Sequence, residues 1–222
     1  MADPGPQFTP IDHKTILKGM GDGRTQGARQ YGAMVRNIVR THDAASPEHR
    51  QAGEEWYSAA WDHANALSKQ FGIEHRTAAG VIAALSPQKG WETNKYLADQ
   101  FLRTGSSGHT KQQNSTARKI LYGADPHEVL NTGTAHKTFN FYHNMEDPEH
   151  PHYVTVDRHA HDIAVNQTYG DDNRGLGAKG RYGVFADAYR SATQHVNERD
   201  GKSLVPNQMQ AITWTHWRGS PD

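Results

Sequence analysis

Two segments of the chain place an ionisable side chain at the start of a predicted helix. Lys137 follows the turn-forming residues 131–135, and Asp157 stands where the extended run 150–156 meets a helix. An aspartate in that position accepts hydrogen bonds from free amides and faces the positive end of the helix dipole. A lysine amine can attack carbon, and a carboxylate can stabilise positive charge that develops in a reaction. Taken singly, each residue also fits a plain role, as a helix cap and as a solvated cation.

Length and composition favour one domain. A chain of 222 residues is long enough for one substantial core and short for two. Residues 1–25 are rich in proline and glycine and are expected to be flexible, which leaves 26–222 as a single folded domain. The absence of cysteine excludes disulfides and thiolate chemistry. Neither a membrane-length apolar run nor a signal segment is present, so we expect a cytoplasmic protein with no membrane partner. We also expect a monomer with no bound metal and no cofactor.

Charge is balanced overall but unevenly distributed. The formal net charge is zero, which argues against a protein that coats nucleic acid by bulk electrostatics. Residues 14–41 nevertheless hold six basic side chains against one acid, and residues 101–122 hold four against none. These stretches fit a positive face that meets phosphate, and they equally fit solvated helix surfaces.

The apolar pattern predicts an all-α protein. Apolar residues recur at intervals of three and four, and strand-like alternation is nearly absent. The glycine-rich stretch 170–180 is interpreted as a loop. About nine helices are expected, at approximately 28–39, 46–67, 76–85, 91–104, 125–130, 137–145, 158–168, 179–197 and 205–218.

Several motifs together resemble one superfamily. The stretch "LNTGTAHKTFN", residues 130–140, resembles the hairpin of the endonuclease III-like, helix-hairpin-helix DNA glycosylases. "VTVDRHAHDIA", residues 154–164, is similar to the segment that carries their catalytic aspartate, and residues 78–102 and 206–219 resemble further helices of the family. The resemblance covers about two thirds of the chain. It implies two helical lobes with a cleft and a degenerate hairpin. The chain is also similar to small phage-encoded proteins, which indicates no particular activity.

The resemblance implies an enzyme that acts on a nucleotide flipped out of DNA. Asp157 would stabilise positive charge on the sugar as the glycosidic bond breaks, or activate the attacking nucleophile. Lys137 would attack the sugar carbon in a lyase step. Backbone amides of the hairpin would hold a DNA phosphate, although Ala135 and Thr132 replace a family glycine and proline. The expected DNA contacts are Gly133, Thr134, Ala135, His136, Gln88 and Arg158. The expected substrate pocket consists of Trp91, Asn94, Tyr182, Gln210 and Trp214.

Three alternatives remain open at the level of sequence. A phage-type transferase that modifies thymine or 5-hydroxymethyluracil in DNA would use the same aspartate on an amine. A DNA-binding module without catalysis would keep only the fold. A metal-dependent phosphohydrolase is indicated by His159, His161 and Asp162. On a helix, however, residues two apart point about 200° away from each other, so the two histidines cannot share one ion.

Overall fold

Ten helices and no strand are present in the part of the chain that the structure, a computed structural model, describes: residues 27–171 and 173–219. The all-α prediction is confirmed. The segment 1–25, expected to be flexible, lies outside the described residues. The helices are α1 (Gly27–Ala44), α2 (Pro47–Phe71), α3 (His75–Ala84), α4 (Trp91–Thr104), α5 (Lys111–Leu121), α6 (Pro126–Leu130), α7 (His136–Glu146), α8 (Arg158–Val165), α9 (Arg181–Asp200) and α10 (Pro206–Arg218).

Nine of these helices overlap the predicted ranges, and α5 was not predicted. Its sequence, KQQNSTARKIL, buries only Asn114, Ala117 and Ile120, so it lacks a continuous apolar stripe. Thr110 caps its first turn by accepting from the amide of Gln113, and Ala117 and Ile120 are buried in the core. Polar helices with so narrow an apolar face escape detection by periodicity.

The end of α8 is a second correction. The prediction extended this helix to residue 168, whereas it ends at Val165. Asn166 adopts the left-handed conformation, with φ of 53°, and its amide turns back to the carbonyl of Asp162. Asparagine tolerates this conformation better than most residues, so it can end a helix where glycine is absent.

The core consists of two hydrophobic clusters. The first gathers buried residues of α2 to α7 around Phe101, and the second gathers those of α1, α8 and α9 around Phe185. Helix α10 contributes to both, since Ala211 packs in the first cluster and Ile212 in the second. Two clusters fit the expected two lobes, and α10 connects them.

Helices α2 and α10 are packed closely at Gly53. A Cβ atom at this position would overlap the backbone of Ile212, so only glycine permits the approach. The side chain of Gln208 donates to the carbonyl of Glu54 across the same interface, at 3.1 Å. This packing brings the aromatic residues of the two helices into contact.

Candidate functional site

Asp157 is fixed by two donors. It caps α8, with Oδ1 accepting from the amide of Ala160 at 2.8 Å, and Oδ2 accepts from the indole Nε1 of Trp214 at 3.2 Å. The side chain is half-buried at the junction of the extended run and the helix. The predicted cap is confirmed. Each carboxylate oxygen keeps lone-pair capacity beyond these bonds, so Asp157 can still accept a proton or face a cation.

Trp214, which bonds this carboxylate, belongs to a group of three half-buried tryptophans. The ring of Trp56 is 5.4 Å from that of Trp91 and 6.5 Å from that of Trp214, and Phe141 lies 6.1 Å away from Trp56. We call these four residues the aromatic platform. Because Trp214 also bonds Asp157, the platform and the carboxylate form one site. Such ring faces can stack on a planar base or attract a cation.

Trp56 was not among the predicted site residues. It is spaced four residues from Ala60, which is buried in the core, so its position in the sequence resembles a core position. In the structure Trp56 is only partly buried and occupies the centre of the platform, since it contacts all three other rings. No local signal in the sequence distinguishes these two situations.

Three residues expected to line the pocket are buried instead. Gln210 accepts from the hydroxyl of Tyr57 at 2.9 Å, and Asn94 donates to the carbonyl of Ile82 at 2.9 Å. Tyr182 is likewise buried and is bonded to the backbone. Buried polar groups require such partners, so these side chains support the site from inside the protein. Of the five expected pocket residues, Trp91 and Trp214 remain partly exposed.

Buried phenols surround the site and stay neutral. Burial raises the pKa of Tyr57, Tyr182 and Tyr189, and the negative charge of Asp157 acts in the same direction on all three. Neutral phenols keep their protons for hydrogen bonds. Tyr189, for example, donates to the carbonyl of Ala160 in the first turn of α8, at 3.0 Å.

The extended run before Asp157 is held by side chains of two helices. Asn140 on α7 accepts from the amide of Val154 at 3.2 Å. Tyr182 on α9 donates to the carbonyl of Val154 and accepts from the amide of Val156, both at 2.8 Å. These bonds replace the ladder that a sheet would provide, so the backbone that leads to Asp157 is rigid without a strand.

Tyr182 contacts both the first residue of α7 and the extended run that leads to α8. The ring of His136 lies 5.3 Å from the ring of Tyr182, and the hydroxyl of the same tyrosine accepts from Val156. Lys137 follows His136, and Asp157 follows Val156. The lysine and the carboxylate are therefore carried by neighbouring helix starts, although they are twenty positions apart in the sequence.

Lys137 is exposed on the first turn of α7. Within the described ranges it forms no ion pair with a carboxylate. An amine in this setting is accessible to a bound substrate.

A tight turn separates α6 from α7. Gly133 has a φ of 74°, and the amide of Ala135 donates to the hydroxyl of Thr132 at 3.2 Å. No acceptor in the part of the chain that is described receives the amides of Gly133, Thr134 or His136. These donors are exposed or half-exposed, so the turn can offer them to an anion.

Gln88 lies in the loop that joins α3 to α4. It is exposed and has a φ of 61°, which is unfavourable for a residue with a side chain. A hydrogen bond fixes the preceding residue of this loop, since the ring Nε2 of His109 lies 3.0 Å from the carbonyl of Pro87. Strained backbone of this kind is frequent where a side chain must be presented to a ligand.

Arg158 lies at a pocket of about 330 Å³ between the start of α8, the following loop and the end of α10. We call it the arginine pocket. Its lining residues are Arg158, His159, Asp162, Thr168, Gly170, Asp171, Arg174, Trp217 and Arg218. Among these residues, only Arg158 was predicted to contact DNA. His159 and Asp162 lie on the same helix, whereas the lining residues from 168 onward come from segments that only the fold brings beside it.

The histidines of the metal hypothesis face different surroundings. His159 lies 6.4 Å from the ring of Trp214, whereas His161 is buried between Tyr169 and Phe185. Residues 27–171 and 173–219 contain no group of three metal-binding side chains. Burial lowers the pKa of both histidines.

The two basic stretches lie on different helices. Arg36 and Arg40 are exposed on α1, which packs in the second core cluster, and Arg118 and Lys119 are exposed on α5, which packs in the first. Residues 14–26 of the first stretch lie outside the described part.

Fold and site together define an all-α protein with a half-buried carboxylate beside an aromatic platform. The chain belongs to a family of unknown function, DUF7178, whose pattern matches residues 20–221. No curated protein and no solved structure matches it. Among the helices of the described ranges, none combines the length and apolar character needed to cross a membrane.

Proposed function

We propose that this protein is an enzyme that accepts a nucleotide flipped out of DNA and cleaves its N-glycosidic bond. The observation that carries the proposal is the bond between Trp214 and Asp157, because it places a carboxylate of fixed orientation at the edge of the aromatic platform. Asp157 is the essential residue, and Lys137 assists.

The platform supplies the binding face. A flipped base loses its stacking in the duplex, and stacking on aromatic side chains replaces it. Trp56 provides such a face together with Trp91 and Trp214, whose rings lie 5.4 and 6.5 Å from its own. Their partial exposure leaves ring surface for a ligand.

Asp157 supplies the charge. As the bond between the base and the sugar breaks, its electrons leave with the base and positive charge develops on the sugar. A carboxylate beside that sugar stabilises the charge, and it can accept a proton from the water that bonds to the sugar carbon. The departing base gains a proton, which balances the hydrolysis.

Lys137 supplies a second nucleophile in the proposed lyase step. Its amine would bond to the sugar carbon in place of water, the base would depart, and opening of the sugar ring would leave an iminium ion. The exposure of Lys137 and the meeting of α7 and α8 at Tyr182 support this role.

The turn before α7 supports DNA as the partner. Its unused backbone amides can bind a phosphate without any charged side chain, which agrees with a net charge of zero. The resemblance of residues 130–140 to a helix-hairpin-helix points to the same use of the turn.

A transferase is the second candidate. Such an enzyme joins an amine to an activated thymine-type base, with displacement of pyrophosphate. Aromatic rings next to a carboxylate attract a cationic amine as readily as they stack on a base, so the same site supports this chemistry. A module that binds DNA without catalysis would keep the turn and make no use of Asp157.

Mass spectrometry of DNA treated with the protein tests the proposal. The substrates are duplexes and single strands with normal and modified pyrimidines, and the products are free bases or altered nucleosides. Excision predicts a free base, which Asp157→Asn should abolish. Asparagine caps helices as well as aspartate does, so this variant should unfold within a few degrees of the parent.

Asp125→Asn is the matched control, because Asp125 also caps a helix, by accepting from the amide of His127 at 2.9 Å. It should keep full activity. An altered nucleoside without base release would favour the transferase. Binding of DNA without any product from any substrate would overturn both enzymatic proposals and leave the passive module.

A further inference from the structure

The arginine pocket adjoins the proposed active site. Arg218, on its rim, lies 4.6 Å above the ring of Trp214, and His159 lies 6.4 Å from the same ring. Trp214 in turn bonds Asp157. Any group bound in the pocket is therefore a neighbour of a substrate held at the carboxylate.

One arginine of the pocket has a structural role. Arg174 forms two bonds with the carboxylate of Asp162, at 2.7 and 2.8 Å, and lies 5.8 Å from the ring of Tyr169. Asp162 is almost fully buried and also receives the amide of Tyr169. Buried, bidentate pairs of this kind are neutral as a unit, so Arg174 and Asp162 form a rigid wall of the pocket.

Two arginines remain in the described lining, opposed there by one unpaired acid. Arg158, Arg218 and Asp171 are all exposed at the pocket. Across residues 27–171 and 173–219, neither arginine forms an ion pair with a carboxylate. Arg158 has only a 3.3 Å contact with the ring of His159, and Arg218 lies against an aromatic face. Their guanidinium groups keep most of their donors for a ligand.

We propose that the arginine pocket binds a phosphate group. Guanidinium groups match the oxygens of phosphate with paired hydrogen bonds, and two of them reach this pocket from different helices. A volume of about 330 Å³ exceeds a phosphate and leaves room for part of an attached sugar. The carboxylate of Asp171 repels the phosphate and lowers the affinity of the pocket for it. A moderate affinity allows the phosphate to dissociate after the reaction.

The phosphate has two possible sources. One is the DNA backbone next to the flipped nucleotide, and the other is a pyrophosphate that a transferase displaces. The choice between these sources rests on the proposed function, whereas binding of the phosphate itself does not. Titrations with inorganic pyrophosphate, thymidine monophosphate and a short single-stranded oligonucleotide distinguish the sources.

The test is calorimetry with these three ligands on the full chain. In the double variant Arg158→Gln/Arg218→Gln, the affinity for the true source should fall about 10- to 100-fold, because hydrogen bonds to a charged group are lost. If the source is DNA, the salt dependence of oligonucleotide binding should also decrease by about one phosphate contact. Asp171→Asn should increase the affinity, which a merely structural role would not produce.

Lys111→Gln/Lys119→Gln removes the same charge from exposed positions on α5 and is the matched control. The proposal would be wrong if the two double variants lost equal affinity. It would also be wrong if the arginine variant bound all three ligands as tightly as the parent does. Asp157→Asn separates the two proposals, because it should abolish product formation without loss of phosphate binding. If the parent binds phosphate but forms no DNA product, the proposed function is wrong and phosphate binding by the arginine pocket is still supported.

Discussion

The indole Nε1 of Trp214 donates to Oδ2 of Asp157 at 3.2 Å. This bond joins α10, which packs in both core clusters, to the first residue before α8. The other oxygen is occupied by the amide of Ala160. The two carboxylate oxygens are thereby oriented by groups on different helices, so the geometry of Asp157 depends on how α8 and α10 pack together.

Replacement of Trp214 by phenylalanine tests that bond. The variant keeps an aromatic ring and loses the donor to Asp157. We expect product formation to slow about 10- to 100-fold, which corresponds to about 1.5–3 kcal/mol for a hydrogen bond to a charged group. Single-turnover rates measure the loss. Trp61→Phe, at a tryptophan that contacts His75 at 4.9 Å, is the control and should be neutral for the rate. Equal rates in the two variants would remove Trp214 from the site.

Lys137 should form a covalent adduct with DNA that carries an abasic site. Borohydride reduces the iminium ion formed by an amine and an opened sugar, so the protein becomes linked to the strand. Denaturing gel electrophoresis detects the complex. Lys137→Ala should abolish it, and Lys119→Ala, at another exposed lysine, should not. An adduct that persists in Lys137→Ala would assign the reaction to a different amine.

Gly133→Ala should weaken DNA binding. A side chain at φ of 74° costs about 1–2 kcal/mol and distorts the turn that presents the free amides. Gly72→Ala imposes a similar cost at φ of 64°, at the end of α2, and serves as the control. Affinity measured by fluorescence anisotropy should fall only for Gly133→Ala. A parallel decrease in both variants would indicate lost stability and no phosphate contact at the turn.

Gly53→Ala should destabilise the protein by about 2 kcal/mol, because the added methyl group overlaps the backbone of Ile212 and separates α2 from α10. Helix propensity alone predicts a gain of about 1 kcal/mol, so the sign of the effect is decisive. Urea denaturation provides the measurement. Gly108→Ala, where a methyl group meets nothing within 4 Å, is the control.

Acidification should destabilise the fold below about pH 6.5. Burial lowers the pKa of His42 from its ordinary value of 6.5, so in this range the unfolded chain binds a proton that the folded chain does not. His42 therefore contributes stability above pH 6.5 that decreases as the pH falls. The slope for one group is at most about 1.4 kcal/mol per pH unit.

His42→Asn should flatten the pH dependence of the melting temperature. Asparagine can place a nitrogen near Asp43, which the ring Nδ1 of His42 contacts at 3.1 Å, and it does not titrate. His63 and His161, whose pKa values burial also lowers, should leave part of the slope in place. A melting temperature that is constant between pH 7 and 5 in the parent would contradict this account.

Local features of the site were predictable. Ser46 caps α2 by accepting from the amide of His49 at 3.2 Å, and Asp157 caps α8. These bonds join residues three positions apart, so the residue types specify them directly. The turn at Gly133 is also a local feature that residue type specifies, because glycine adopts the left-handed conformation that the turn requires. Helix α5 was not predicted, because it buries only Asn114, Ala117 and Ile120, and these three residues give little apolar pattern to detect.

The sequence by itself determined an all-α chain, the cap that Asp157 forms on α8, the position of Lys137 at the start of α7, and the turn between α6 and α7. Only the tertiary structure decided what surrounds them. Asp157 and Trp214 are 57 positions apart, and their bond exists because α10 packs beside α8 as well as on α2 at Gly53. Hydrogen bonds within one turn follow from neighbouring residues, whereas the platform and the arginine pocket arise from the relative placement of helices, which depends on the packing of the whole core.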